Sequence, residues 1–146
     1  LEKNSLQDAL ITHTDLFSAR QDIEVIRDID DIKSLTPEQE YSIYRIVQEA
    51  FANIQKYADA DKVDLKLKNK QMGEENIVTL TIEDNGQGFN ENEIKRGNGL
   101  NNMELRSKEI GGNFQVKSEL KEGTQIKVKF SKHKQKCMLF HYKFLF

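Results

Sequence analysis

Apolar and polar positions alternate along this chain in two periods, and the switches between them divide it into elements. Residues 62–68 alternate strictly, with Val63, Leu65 and Leu67 on one side, which predicts a strand. Residues 77–83 repeat the pattern with Val78, Leu80 and Ile82, and the polar stretch 70–76 around Gly73 reads as the turn of a hairpin. Residues 114–120 and 124–130 predict a second hairpin about Lys121-Glu122-Gly123. Residues 21–29 predict a further strand, with Ile23 and Val25 sharing a face.

Helical spacing governs three segments. In residues 5–20, Leu6, Leu10 and Phe17 recur near one face, supported by Ala9 and Leu16. Residues 37–57 form the best-marked helix. Thr36 is a good N-cap, Pro37 suits the first helical position, and Gln39 can close a capping box. Ile43, Ile46, Val47, Ala50 and Ile54 make its apolar face. Residues 100–110 predict a short helix stopped by Gly111-Gly112, after a Gly- and Asn-rich loop over 84–99. Two hairpins mixed with helices imply an α+β fold: a two-layer sandwich whose mixed, mostly antiparallel sheet is covered by helices on one face.

At 146 residues the chain suits one compact domain, and 32% charged residues give it a polar surface. Residues 131–146 carry four lysines and no acid, whereas the rest holds 18 basic against 24 acidic side chains, a balance of −6. An acidic body argues against direct nucleic-acid binding, which needs many cations facing phosphate. One cysteine, Cys137, rules out an internal disulfide and fits a reducing, cytoplasmic setting. No apolar run approaches the ~20 residues of a membrane-spanning helix. The first residue is Leu1, which reads as the continuation of a longer protein.

Three segments carry candidate chemistry. On the long helix, Glu49, Asn53 and Lys56 fall within roughly 60° at ~100° per residue. A carboxylate, a carboxamide and an ammonium on one edge can hold hydrated magnesium and phosphate; an ordinary solvated edge is the alternative. Asp84-Asn85-Gly86-Gln87-Gly88-Phe89 places a carboxylate at a strand end, backed by glycines that admit a close ligand. The same letters also suit a plain turn. Gly97-Asn98-Gly99-Leu100-Asn101-Asn102-Met103 runs glycines into a helix start, where free N–H groups favour phosphate. It is neither a Walker motif nor a dinucleotide fingerprint.

Taken in order, with Gly123-Thr124 at a strand start, these motifs resemble the nucleotide-binding domain shared by histidine kinases, DNA gyrase, Hsp90 and MutL (the Bergerat-type ATP-binding fold), over residues 23–130. The run from Tyr44 to Ala50, then Asn53, Lys56-Tyr57-Ala58, Gly99-Leu100, Met103 and Arg106, is similar to histidine kinases that pair with NarL-type response regulators. Tyr57 departs from that pattern, which commonly has histidine there.

The resemblance implies ATP and Mg2+ as ligands. Asp84 would accept the adenine amino group, supported by Thr124, with Gly86 and Gly88 opening room for the base. Asn53 and Glu49 would serve the metal, Glu49 also as a candidate base, and Lys56 would neutralise phosphate charge. Gly97, Gly99 and Leu100 would meet the phosphates beneath a lid over residues 90–98. The implied reaction moves the γ-phosphate to a histidine on a dimeric helical hairpin, and from there to a response regulator. The full protein would be a homodimer, possessing a membrane anchor in some parents of this kind. Residues 1–20 would be the end of the dimerisation helix, 21–130 the catalytic domain, and 131–146 a basic and apolar tail. His13 reads as a packed or exposed helical histidine and not as the acceptor. An anti-sigma-type serine kinase and a nucleotide-sensing module are the competing readings.

Overall fold

A computed structural model describes residues 5–90 and 98–132. The elements run α1 (Leu6–Gln21), β1 (Glu24–Ile29), α2 (Pro37–Asn53), a π-helical turn (Ile54–Ala58), β2 (Lys62–Met72), β3 (Glu75–Asp84), α3 (Asn98–Glu109), β4 (Asn113–Glu119) and β5 (Gly123–Ser131). One five-stranded sheet has the order β1-β2-β3-β5-β4. β1 and β2 run parallel, joined across the intervening α2, and the other pairs are antiparallel. This is the α+β sandwich that the periodicities predict.

The register lines up the core. Leu65, Ile82, Ile126 and Val116 form one cross-strand row, and Leu67, Leu80, Val128 and Phe114 the next. These side chains lie on one face of the sheet and join the core beneath the helices; the other face carries Lys66, Lys127 and Lys129. α2 starts as its sequence dictates. Thr36 Oγ1 accepts from the Gln39 N–H, the Gln39 side chain accepts from the Thr36 N–H, and Pro37 sits in the first turn. α2 buries Ile43, Ile46, Val47, Ala50 and Phe51.

α1 packs on α2 and β1 and buries Leu6, Leu10, Thr14 and Phe17. The Phe17 and Phe51 rings meet edge to face at 4.8 Å. His13 is a packed histidine, edge-on to Tyr44 and Phe51, and burial lowers its pKa.

Several boundaries differ from those the sequence predicts. α1 reaches Gln21 and ends on a left-handed Asp22, so β1 starts only at Glu24. The first hairpin extends far into its polar stretch, because paired backbone continues to Met72 and resumes at Glu75. The long helix does not stay α-helical to Tyr57: from Ile54 it widens into the π-helical turn, which closes on a left-handed Asp59. Residues 91–97, which include most of the expected lid and Gly97, lie outside the described residues, as do 133–146 of the tail.

Candidate nucleotide site

The inward parity of β3 is Val78, Leu80, Ile82, and the next inward position is Asp84. Asp84 therefore occupies a core position while lying at the strand end, and it is only 6% exposed. The cross-strand row through it reads Val63, Asp84, Thr124, Ser118. Where the two neighbouring rows are apolar throughout, this last row turns polar at three strands. A buried row of that kind is costly unless its groups find partners.

Asp84 finds some. Its Oδ1 accepts from the Gly86 N–H at 2.9 Å. Burial pushes its carboxyl above the usual range, donation from the Gly86 and Thr124 N–H groups opposes that push, and the charge of Glu83 reinforces it. The turn that follows is pinned to its surroundings. Asn85 Oδ1 accepts from the N–H groups of Asp61 and Lys62, and the Gln87 N–H donates to the Ala58 carbonyl at 2.7 Å. The segment 84–88 is thus fastened against the end of the π-helical turn. Gly88 has φ +62°, and a Cβ there would stand 2.0 Å from the Glu119 carbonyl oxygen, so only glycine lets the two backbones pass this closely.

Ser118 is a residue that motif reading misses. Its hydroxyl accepts from the Phe89 N–H at 2.9 Å, reaches the Gly123 carbonyl at 3.1 Å, and contacts Thr124 Oγ1 at 2.8 Å. A signal for it does exist in the sequence. Phe114, Val116 and Ser118 share inward parity, so a hydroxyl falls where the pattern calls for an apolar side chain.

The second part of the site is on α2. Glu49 and Asn53 are one turn apart, both half-buried. Their side-chain ends converge on Gly99 in the first turn of α3: a Cβ at Gly99 would lie 2.8 Å from Glu49 Oε1 and 3.1 Å from Asn53 Oδ1. The fold therefore brings Glu49, Asn53 and Gly99 together from segments some fifty positions apart in the chain. Leu100 is half-buried against the core. Lys56 stands exposed on the π-helical turn, where the ~100° per residue that aligned it with Glu49 and Asn53 no longer applies.

These residues fit the expected ligands in kind. Two oxygen donors, a carboxylate and a carboxamide, meet at one helix edge, and magnesium takes one or two protein oxygens and completes its shell with water and phosphate. No group of three His, Cys, Asp or Glu among the described residues could hold a metal alone. The buried carboxylate of Asp84 at the end of β3 is an acceptor of the kind a purine amino group needs. No helix among the described residues is long and apolar enough to cross a membrane.

Comparison with known proteins bears on the family and the fold. Residues 38–134 match the family described as histidine kinase-, DNA gyrase B-, and HSP90-like ATPase. Sensor histidine kinase LiaS of Bacillus subtilis is 38% identical over 132 residues, which cover 88% of this chain and 35% of LiaS. Sensor protein VraS of Staphylococcus haemolyticus is 38% identical over 108 residues, 73% of this chain and 30% of VraS. The chain thus spans about a third of the length of these curated relatives. The histidine kinase domain of a blue-light activated kinase from Erythrobacter litoralis superposes with a TM-score of 0.74 at 19% identity, covering 91% of this chain and 64% of that one. The histidine kinase AdeS of Acinetobacter baumannii gives 0.64 at 17%, covering 87% and 63%. At such identities the two structures speak for the fold. On the family match, which takes in α2, the row through Asp84 and the start of α3, this chain belongs to the histidine kinase-, DNA gyrase B- and HSP90-like ATPases.

Proposed function

We propose that this domain binds Mg-ATP and serves as the catalytic domain of a sensor histidine kinase, giving the γ-phosphate to a histidine on a dimeric helical hairpin of the parent protein. The observation that carries the reading is Asp84. A carboxylate held at a core position, kept from water in an inward row with Thr124 and Ser118, is a costly arrangement that an amine-bearing purine would offset.

In this reading Asp84 accepts from the 6-amino group of adenine, with Thr124 beside it. The backbone at Gly86 and Gly88 lets the base lie close. Glu49 and Asn53 are the residues that would hold magnesium, which would supply charge neutralisation between phosphates. In this reading Glu49 would also take a proton at its Oε1. The first turn of α3, at Gly99 and Leu100, offers N–H groups to the phosphates, and Gly97 would extend that cradle. Lys56, exposed at the end of the helix edge, adds positive charge at longer range. Phosphoryl transfer asks little more of a protein than positioning and charge stabilisation.

The wider assignment follows from the resemblance of the run from Tyr44 to Tyr57 to kinases that pair with NarL-type response regulators. The parent would act as a homodimer, its phosphoryl group passing on to an aspartate of such a regulator. α1 would then be the segment through which the chain passes from the dimerisation helix into the catalytic body. Residues 133–146 have no role in this scheme.

Isothermal titration with ATP and Mg2+ tests the reading. The parent chain should bind, and Asp84→Asn should lose at least tenfold in affinity, the scale of a lost charge-assisted hydrogen bond of about 1.5–3 kcal/mol. Equal binding by parent and variant would refute the adenine assignment.

A further inference from the structure

We infer that Gln87 is a positioning residue that sets the reach of Lys56: by holding the turn after α2 in its π-helical form, it keeps the Lys56 ammonium off the edge that Glu49 and Asn53 share. The inference rests on the proposed assignment of that edge to magnesium and phosphate.

Nothing local in Ile54-Gln55-Lys56-Tyr57-Ala58 asks for a π-helical turn. The run holds no proline or glycine, and Ile54 is its one buried side chain. An α-helix continued through it would carry Lys56 onto the edge of Glu49 and Asn53, at ~100° per residue. A π-helical turn bonds each residue one position further along the chain than an α-helix does. Each residue therefore advances by a smaller angle, and Lys56 lags the edge. This form is rare, so groups outside the helix have to favour it.

Gln87 supplies such groups. The last carbonyls of a helix have no partner within it. Here the Gln87 side chain donates from Nε2 to the Tyr57 carbonyl at 2.5 Å, and its N–H donates to the Ala58 carbonyl at 2.7 Å. A carbonyl only accepts, so the Gln87 amide has to present its nitrogen there. Gln87 is anchored in turn, because its own carbonyl accepts from the Lys121 N–H at 2.6 Å. Gly86 makes the close approach possible: a Cβ there would stand 2.1 Å from the Ala58 carbonyl oxygen. Beyond the turn, Asn85 Oδ1 holds the N–H groups of Asp61 and Lys62, each at 3.1 Å. Of these ties, the one from the Gln87 side chain reaches the carbonyl next to Lys56. Without that donor the turn is free to tighten toward an α-helix, and Lys56 swings toward the edge where the phosphates would lie. Gln87 touches no ligand in this scheme; it loosens the grip on the triphosphate through Lys56.

A double-mutant cycle on Mg-ATP dissociation constants tests this, with thermal unfolding alongside and AMP as a ligand that lacks the β- and γ-phosphates. Lys56→Ala should cost the parent about twofold, the scale of an exposed, screened charge. In a Gln87→Ala background it should cost about tenfold, the scale of a hydrogen bond from an ammonium to phosphate. Gln87→Ala alone should therefore bind Mg-ATP more tightly than the parent, by up to about fivefold, the ratio of those two costs. Gln87→Met, which keeps the length of the side chain and removes its donor, should behave as Gln87→Ala does. AMP affinity should be the same throughout. Equal costs of Lys56→Ala in the two backgrounds, or weaker Mg-ATP binding by Gln87→Ala, would overturn the inference. So would a matching change with AMP, which would place the effect in the purine pocket. Failure of the parent to bind Mg-ATP, or undiminished binding by Asp84→Asn, would instead sink the nucleotide assignment, and this inference with it.

Discussion

Replacing Gly99 by alanine separates the chemistry of this site from its stability. Gly99 lies in the first turn of α3, and a Cβ there would stand 2.8 Å from Glu49 Oε1 and 2.9 Å from Asn53 Nδ2, against about 3.4 Å for ordinary contact. Both obstacles are ends of side chains, so the backbone need not move. The two groups must retreat by roughly half an ångström. Misplacement of reacting groups by ~1 Å can cost ~100-fold, so half that distance corresponds to about tenfold. Stability should move the other way, because alanine exceeds glycine in a helix by up to about 1 kcal/mol. The expected outcome is a melting temperature equal to or a few degrees above the parent, with Mg-ATP affinity down about tenfold. Affinity for ATP in chelator should change much less. The assay is calorimetric titration with and without Mg2+, beside thermal unfolding. Undiminished Mg-ATP binding would show that Glu49 and Asn53 do not hold the metal from these positions.

Three other outcomes are expected. Asn53→Ala should keep metal-independent ATP binding and lose the increment that Mg2+ adds; equal magnesium dependence in both proteins would remove Asn53 from the metal site. Because burial raises the Asp84 pKa, the unfolded chain gives up this proton first as pH rises, so the ionised group costs stability from just above the ordinary carboxylate range upward. The melting temperature of Asp84→Asn relative to the parent should therefore climb through that window and then level off, and a pH-independent difference would contradict the assigned shift. Phe17→Ala should destabilise by about 3–5 kcal/mol, because it removes a buried ring packed edge-on to Phe51. A melting temperature within a degree or two of the parent would mean that α1 is not integral to the body.

What could be read in the sequence was whatever a local period or cap can encode. The strands follow Val63, Leu65, Leu67 and Val78, Leu80, Ile82, and α2 begins where Thr36, Pro37 and Gln39 require. The end of α2 could not be read this way. Ile54-Gln55-Lys56-Tyr57-Ala58 contains no proline or glycine, and its π-helical turn is held by tertiary contacts with the segment 84–88. The ~100° step that aligns Lys56 with Glu49 and Asn53 is consequently one that the chain does not keep. The approach of Gly99 to Glu49 and Asn53 is likewise non-local, and only the ordered motifs of a family pointed to it. Ser118 is the opposite case, legible by strand parity yet hidden because a serine in a strand matches no motif.

Natural sequences satisfy local rules nearly everywhere, and departures from them tend to mark function. Here the departures gather at one end of the sheet. Asp84, Thr124 and Ser118 hold inward positions that the rows beside them give to Ile82, Ile126 and Val116. The π-helical turn, a feature frequent at functional sites, closes against the same segment. Gly88 accepts a left-handed backbone to pass the Glu119 carbonyl. Across the sheet, on β1 and β2, comparable polarity is compensated: Lys68 bridges Asp28 and Asp30, and Asp30 also accepts from the Asn69 N–H. Those three charges pair with one another near the surface. The row through Asp84 is buried instead, and in the proposed reading the adenine amino group is a further donor from which Asp84 accepts at that edge.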